Sequence, residues 1–260
     1  MKKYLLIILL LVAGTMVQSQ VLITLIFGDK LNSDGLEFGL EGGGNWSNIS
    51  AMETKKFTSR WNLGFYFDIR LKNQWFIYTG VLVKSNFGVS KLSDKDMNTL
   101  DAKIYFDNNG NRLEGNYNQK INSFMVPALV RYKLKNYMYV EAGPQFSLMY
   151  KSYVQFDTKV DDIDATFKEY NKDKINKIDA GVMAGVGYKL MHRKTGWTLG
   201  LKYYYGFVNV FKGISGTNNS SIYLKLEIPI GAGEKAQKKK EEKKMKKEEK
   251  KKEKSSGKNN

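Results

Sequence analysis
The chain has 260 residues, no cysteine, three prolines, 24 glycines and 34 aromatic side chains (14 Phe, 16 Tyr, 4 Trp). Without cysteine there are no disulfides, no thiol catalysis, no Cys-based zinc site and no lipidated N-terminal Cys. A single histidine, His192, removes His-based triads and multi-His metal sites, and a mean hydropathy of −0.45 excludes a bundle of membrane-spanning helices.

The formal charge of +16 is unevenly placed. Residues 234–260 supply +7 (13 Lys against 6 Glu), and Lys2 and Lys3 a further +2, which leaves +7 on the body. A basic tail on a nearly balanced body is unlike a basic nucleic-acid-binding domain, so nucleic acid is not an expected partner.

The N-terminus reads as an export signal. Met1-Lys2-Lys3 gives a positive start, Tyr4 to Val12 an unbroken apolar core, and Val17-Gln18-Ser19 a peptidase site, with cleavage expected between Ser19 and Gln20. The rival is a retained anchor, because Val21 to Phe27 is apolar again. Against it, Gln18, Ser19 and Gln20 fall in the middle of that span. Residues 20–35 then form a short segment before the first strand, in which Val21 to Phe27 is either a helix, with Leu22, Leu25 and Ile26 on one face, or a strand extension.

From Leu36 the dominant period is two. One parity reads Leu36 to Trp46, Trp61 to Leu71, Trp75 to Ser85, Phe124 to Leu134, Val140 to Leu148, Ile178 to Leu190, Trp197 to Phe207 and Ile222 to Ile230. None of its positions is charged, in a chain that is 26% charged. The opposite parity carries Glu37, Glu41, Asp68, Arg70, Lys84, Arg131, Lys133, Glu141, Asp179, Lys189, Lys202, Lys225 and Glu227, six acids against seven bases. Pro127 and Pro144 fall inside strands, where each removes a ladder donor and makes a bulge expected.

Alternation does not say which face is outside, since a soluble lipocalin-like barrel has the same period. Three features point to an apolar exterior. Ten glycines lie on the polar parity, as a narrow lumen requires. Trp46 and Trp61 stand near one end of the strands and Trp75 and Trp197 near the other, as two interfacial belts. The connections alternate, with tight turns at 72–74, 135–137 and 191–196 and long loops at 49–60, 90–119, 150–176 and 209–219. The expectation is an all-β, eight-stranded, antiparallel up-and-down transmembrane barrel over residues 36–231, in a bacterial outer membrane. Both termini, and the Lys/Glu-rich tail of residues 232–260, would be periplasmic, the tail disordered or helical.

The stretches FMVPALVRYKL (124–134), YVEAGPQFSLMY (139–150), IDAGVMAGVGYKL (178–190), LKYYYGFVNV (201–210) and FGDKLNSDGLEFGLEGG (27–43) resemble the PorT-like outer-membrane β-barrel family. The resemblance spans about residues 21–231 and lies in layout, so it transfers no catalytic or binding position. It implies an eight-stranded barrel of a diderm bacterium, in a family whose founding member is associated with protein secretion. The tail departs from the usual end at strand eight.

Few residues suggest chemistry. His192 sits in a His-Arg-Lys-Thr-Gly turn without a Ser or carboxylate partner. Asp107-Asn108-Asn109-Gly110-Asn111 has oxygen ligands at calcium-loop spacing, but Asn109-Gly110 between short apolar segments is also a hairpin turn, the favoured reading. Asp161, Asp162 and Asp164 read as a solvated loop or helix start, and Gly42-Gly43-Gly44 lies on a strand with no helix to hold a phosphate. No enzyme, metal or cofactor is expected. The charged inward residues Glu37, Glu41, Asp68, Arg70, Arg131, Lys133, Glu141, Asp179, Lys189, Lys202, Lys225 and Glu227 are expected to pair across the lumen, which Tyr66, Tyr78, Tyr204 and Tyr223 fill further. The expected role is a structural or interaction scaffold, with an accessory of outer-membrane secretion and a passive small-solute channel as alternatives. A monomer surrounded by outer-membrane lipid is expected, and the tail is either dispensable or a binder of cell-wall polymer or an acidic periplasmic protein.

Overall fold
The computed structural model describes residues 35–54, 56–160, 163–191, 196–230 and Met245. The export signal, the 21–27 segment, Asp161, Asp162, His192 and the rest of the tail lie outside the described residues. The chain divides into two units, residues 1–38 with 229–260, and residues 39–228. Within the first, the Ile230 amide donates to the Phe38 carbonyl at 3.0 Å.

Among the described residues nine strands form one antiparallel sheet: β1 (Leu36–Ile49), β2 (Thr58–Lys72), β3 (Trp75–Ser90), β4 (Gly115–Lys133), β5 (Met138–Val160), β6 (Ile163–Tyr170), β7 (Ile178–Lys189), β8 (Thr198–Asn209) and β9 (Asn218–Pro229). Their order is β4-β3-β2-β1-β9-β8-β7-β5-β6, and a further pairing of β4 with β5 closes eight of them into a ring. β6 pairs only with the far half of β5, Tyr153 opposite Tyr170 through Val160 opposite Ile163. The ring is thus the expected eight-stranded barrel, and the ninth strand is a correction inside the expected loop 150–176. Asp164, expected in a loop or helix start, pairs with Lys159 in this hairpin. β4 also begins at Gly115, in the expected loop.

The parity expectation holds on the wall. Trp61, Trp75, Phe146 and Leu201 are each about half exposed, whereas Tyr66, Tyr78, Tyr204 and Tyr223 are fully buried. A sheet whose apolar residues face outward and whose charged residues face inward is inverted relative to a water-soluble barrel.

The prolines do not shift the register. Pro144 stands opposite Val182 in a continuous ladder, whereas the β4–β5 pairing lapses after Pro127 opposite Gln145 and resumes in the same register at Val130 opposite Ala142. The register shifts fall instead at Leu63/Gly64 and Arg70/Lys72 (β2–β3), Leu82/Ser85 (β3–β4), Asn122/Ser123 (β4–β5) and Tyr205/Asn209 (β8–β9). One consequence is visible at Lys84, whose inward placement by simple alternation fails. Beyond the Leu63/Gly64 shift its ammonium lies over the Trp61 ring, 3.6 Å from the centroid. One extra residue reverses the side-chain facing of all that follow.

Close packing explains particular inward glycines. Tyr139, Gly187 and Gly200 stand side by side on β5, β7 and β8. A Cβ at Gly187 would overlap the Tyr139 ring, and one at Gly200 its hydroxyl, so the two glycines are the bed on which this ring lies. Gly187→Val should therefore destabilise the barrel by about 1–3 kcal/mol through forced displacement of Tyr139. Urea unfolding in detergent micelles checks this, and Val186→Ala on the outer wall is expected to shift the midpoint far less.

Candidate functional site
The inward positions of β4 and β5 show how the interior is layered. From the short-turn end, β4 contributes Arg131, Leu129, Pro127, Met125, Ser123, Ile121, Gln119 and Tyr117, all buried. β5 contributes Tyr139, Glu141, Gly143, Gln145, Ser147, Met149, Ser152, Val154 and Phe156. The lumen runs from charged residues, through a layer of tyrosines, Leu and Met, to amides and hydroxyls, and ends in an apolar layer below the long loops.

Arg131 organises the charged layer. Its Nη1 and Nη2 donate to the two carboxylate oxygens of Glu227 at 3.0 and 2.7 Å, and its Nε donates to Glu141 at 2.8 Å. Asp68 lies 3.4 Å from Nη1. The guanidinium is sandwiched between the rings of Tyr78 and Tyr139, at 4.0 and 3.9 Å from their centroids. This fork geometry and ring stacking suit arginine and not lysine. Lys202 reaches Glu141 at 2.9 Å and Glu227 at 3.3 Å, Lys133 reaches Asp68 at 2.5 Å, and Lys225 pairs with Glu41, which also accepts from the Tyr78 hydroxyl. Gly185, between Glu141 and Lys202 in the ladder, leaves the room in which they meet. Four cations thus face four carboxylates, and except for Lys133 their side chains are essentially unexposed.

Eight of the twelve residues expected in a lumen network form this cluster: Glu41, Asp68, Arg131, Lys133, Glu141, Lys202, Lys225 and Glu227. Asp179 is buried apart from them, accepting from the Tyr204 hydroxyl at 2.9 Å. It lies near the long-loop end of β7, several rungs from Arg131, so the expected pairing is corrected to a neutral partner. Arg70 is also corrected. It is exposed at the short-turn rim, where its Nε donates to the Asn73 carbonyl at 3.1 Å. Glu37 and Lys189 are half-buried near the ends of β1 and β7.

The other end is closed by an apolar cluster. Ile49, Met52, Phe87, Val89, Leu92, Met97, Leu100, Tyr117, Ile121, Met149, Val154, Phe156, Ile175, Val210 and Phe211 are buried together. They come from the far halves of four strands, from the loops and from α1 (Asp94–Thr99), a one-and-a-half-turn helix. It stands inside the expected loop 90–119, where the Ser93-x-x-Asp96 spacing is a capping-box pattern that marks a helix start.

Asp96 ties this helix to its surroundings. Its carboxylate accepts from the amides of Glu53 (2.7 Å), Thr54 (3.1 Å) and Ser93 (3.2 Å). Burial alone would raise its pKa, but the backbone donors outweigh burial and hold the carboxyl below the ordinary aspartate value. Elsewhere Arg112 grips Asp94 with both terminal nitrogens, and Lys174 donates to the carbonyls of Leu100 and Asp101. The Ser50 amide bonds to the Asn218 carbonyl, and Ile175 bridges Phe211. All the long connections are thereby fastened to one another.

The Asp107–Asn111 segment is the hairpin turn favoured from sequence. Phe106 bridges Arg112, and the Asp107 carboxylate accepts from the amides of Asn109 and Asn111 at 2.9 and 2.7 Å. Its oxygens serve the turn itself.

Two outcomes follow. Arg131→Met should destabilise the barrel by about 3–5 kcal/mol, because carboxylates in the lumen lose their cation. Lys133→Met, whose side chain is about a third exposed, should have the smaller effect. Urea titration of the purified protein, with heat-dependent gel mobility as readout, ranks them. Asp96→Asn should raise amide exchange at Glu53, Thr54 and Ser93 by about tenfold or more while leaving barrel amides protected. Because the folded pKa is depressed, Asp96 stabilisation is present above the unfolded value of about 3.9 and is lost as pH falls through the folded value. Hydrogen exchange at pH 7 and at acid pH reads both effects, and the Asn variant should lose that pH dependence.

Among known proteins, the family described as outer membrane protein beta-barrel domain matches residues 19–212. No curated protein matches the sequence. The fold is similar to that of Ail from Yersinia pestis, solved with the heparin analogue sucrose octasulfate, at 8% identity and a TM-score of 0.40, covering 76% of this chain and 99% of that one. It is also similar to Neisserial surface protein A at 10% identity and a TM-score of 0.38 (75% and 97% covered). OprG from Pseudomonas aeruginosa gives 10% identity and a TM-score of 0.34 (75% and 93% covered). With three quarters of its length matched and an inverted, closed eight-stranded ring, the chain belongs to the outer membrane protein beta-barrel domain family, which places it in the bacterial outer membrane.

Proposed function
We propose that this protein is a non-enzymatic scaffold of the outer membrane, a closed barrel that presents its tied long-loop end as an interaction surface. The observation that carries this reading is the filled interior. The charged layer occupies the lumen toward the short turns, and the apolar cluster occupies it under the loops. An eight-stranded ring has room for side chains and little else, and an aqueous pore needs a wider polar path.

The long loops then face the cell exterior and the short turns the periplasm, as an even number of strands with short turns on one side supports. Both termini and the basic tail would lie on the periplasmic side. The PorT-like resemblance adds a narrower reading, an accessory of protein secretion, in which the same closed barrel holds a stable partner. Cross-linking in purified outer membranes separates an accessory, with a discrete partner, from a freestanding scaffold.

Planar-bilayer recording tests the closed lumen. The purified full-length protein should give no steady unitary conductance. Large, persistent conductance steps would favour the passive channel and remove the scaffold reading.

A further inference from the structure
Above the apolar band, the outer wall of β4, β5 and β6 changes character. On β4 the outward residues Tyr132, Val130, Ala128, Val126 and Phe124 give way, at the Asn122/Ser123 register shift, to Asn122, Lys120 and Asn118. Opposite these stand Lys151, Tyr153 and Gln155 of β5, and β6 extends the rows with Tyr170 beside Tyr153 and Lys168 beside Gln155.

These side chains are gathered. The Lys151 ammonium lies 5.6 Å from the Tyr153 ring and 5.4 Å from that of Tyr170, and Lys168 lies 5.7 Å from Tyr153. Lys120 donates to Gln155 Oε1 at 2.8 Å, a neutral acceptor, and it is repelled by the charges of Arg60 and Lys168 and attracted by that of Asp157. None of Lys120, Lys151 and Lys168 forms an ion pair among the described residues. The neighbouring acid, Asp157, accepts from the neutral donors Gln155, Thr166 and Asn118, and its single charge is outnumbered by the lysines. Three lysines gathered beside one carboxylate keep an excess of positive charge, and a bound anion relieves the repulsion among them.

The level of the patch identifies the anion. Lys120 lies four residues beyond Phe124, about 13 Å along the strand, or about 10 Å along the barrel axis at a tilt of about 40°. That is headgroup depth, on the outward parity directly above the lipid-facing wall. We propose that Lys120, Lys151 and Lys168, with Tyr153 and Tyr170, bind the phosphates of an anionic glycolipid headgroup in the leaflet at the long-loop end. The lysines take the phosphates, while the amides of Asn118 and Asn122 and the tyrosine rings suit sugar hydroxyls and sugar faces. The leaflet assignment rests on the orientation given under the proposed function.

Native mass spectrometry of the full-length protein in detergent tests this, with bisphosphorylated lipid A as probe and its dephosphorylated form and phosphatidylglycerol as comparisons. The bisphosphorylated probe should be retained at least tenfold better than either. The triple variant K120Q/K151Q/K168Q should lose at least tenfold of that retention, whereas K56Q/K91Q/K95Q, with the same change in charge, should keep it. Heat-dependent gel mobility confirms that both variants are folded. Equal retention of the three lipids, or unchanged retention by the first variant, would overturn the proposal. Orientation is read separately by labelling whole cells that carry Asn109→Cys with an impermeant maleimide. Labelling without lipid retention sinks the lipid site alone, whereas retention without labelling overturns the leaflet assigned to it and the orientation together.

Discussion

The structure depends on pairing charge inside a space with little water. Arg131 is fully enclosed, and a guanidinium there is tolerable only because Glu227, Glu141 and Asp68 surround its edge while Tyr78 and Tyr139 cover its faces. The same constraint extends outward through Lys202, Lys225 and Lys133, which divide the carboxylates among them. These pairs link β1, β2, β4, β5, β8 and β9 across the lumen. A ring of strands joined only by neighbour-to-neighbour ladders thereby gains ties across its diameter.

Glycine sets how tightly those ties can be drawn. Gly185 lets Glu141 and Lys202 meet, and the Gly187–Gly200 pair receives the Tyr139 ring that covers Arg131. Backbone without side chains at these rungs gives its volume to the long polar side chains of adjoining strands.

At the opposite end the same problem of filling a barrel is met with apolar residues. Strands that continue past the wall, the α1 helix and the long loops supply a small core of ordinary type, and the carboxylate of Asp96 fixes its geometry through three backbone donors. The β5–β6 hairpin continues the wall upward. There one face packs Phe156 and Phe167 toward Tyr105, while the other carries the lysine and tyrosine patch. Two environments on the two faces of one hairpin follow from the period of two.

The sequence by itself determined the ring, its inversion and most of its charge cluster. Strict alternation over strands such as Phe124–Leu134 and Trp197–Phe207 leaves one face uncharged, and inward glycines with paired acids and bases belong to a narrow interior. It also placed the Asp107–Asn111 turn, because Asn-Gly encodes its own backbone geometry. What it did not carry was anything set by contact between distant strands. Lys84 faces outward because of a register shift, which alternation within one strand does not reveal. Asp179 takes a tyrosine in place of a cation because its rung lies beyond the reach of Arg131. The far half of β5 and all of β6 alternate weakly, since one face meets the apolar cap and the other is mixed polar and aromatic, so only tertiary pairing showed them to be strands. Local pattern records which face of a strand meets lipid, whereas register, diameter and the partners of each buried charge are properties of the closed ring.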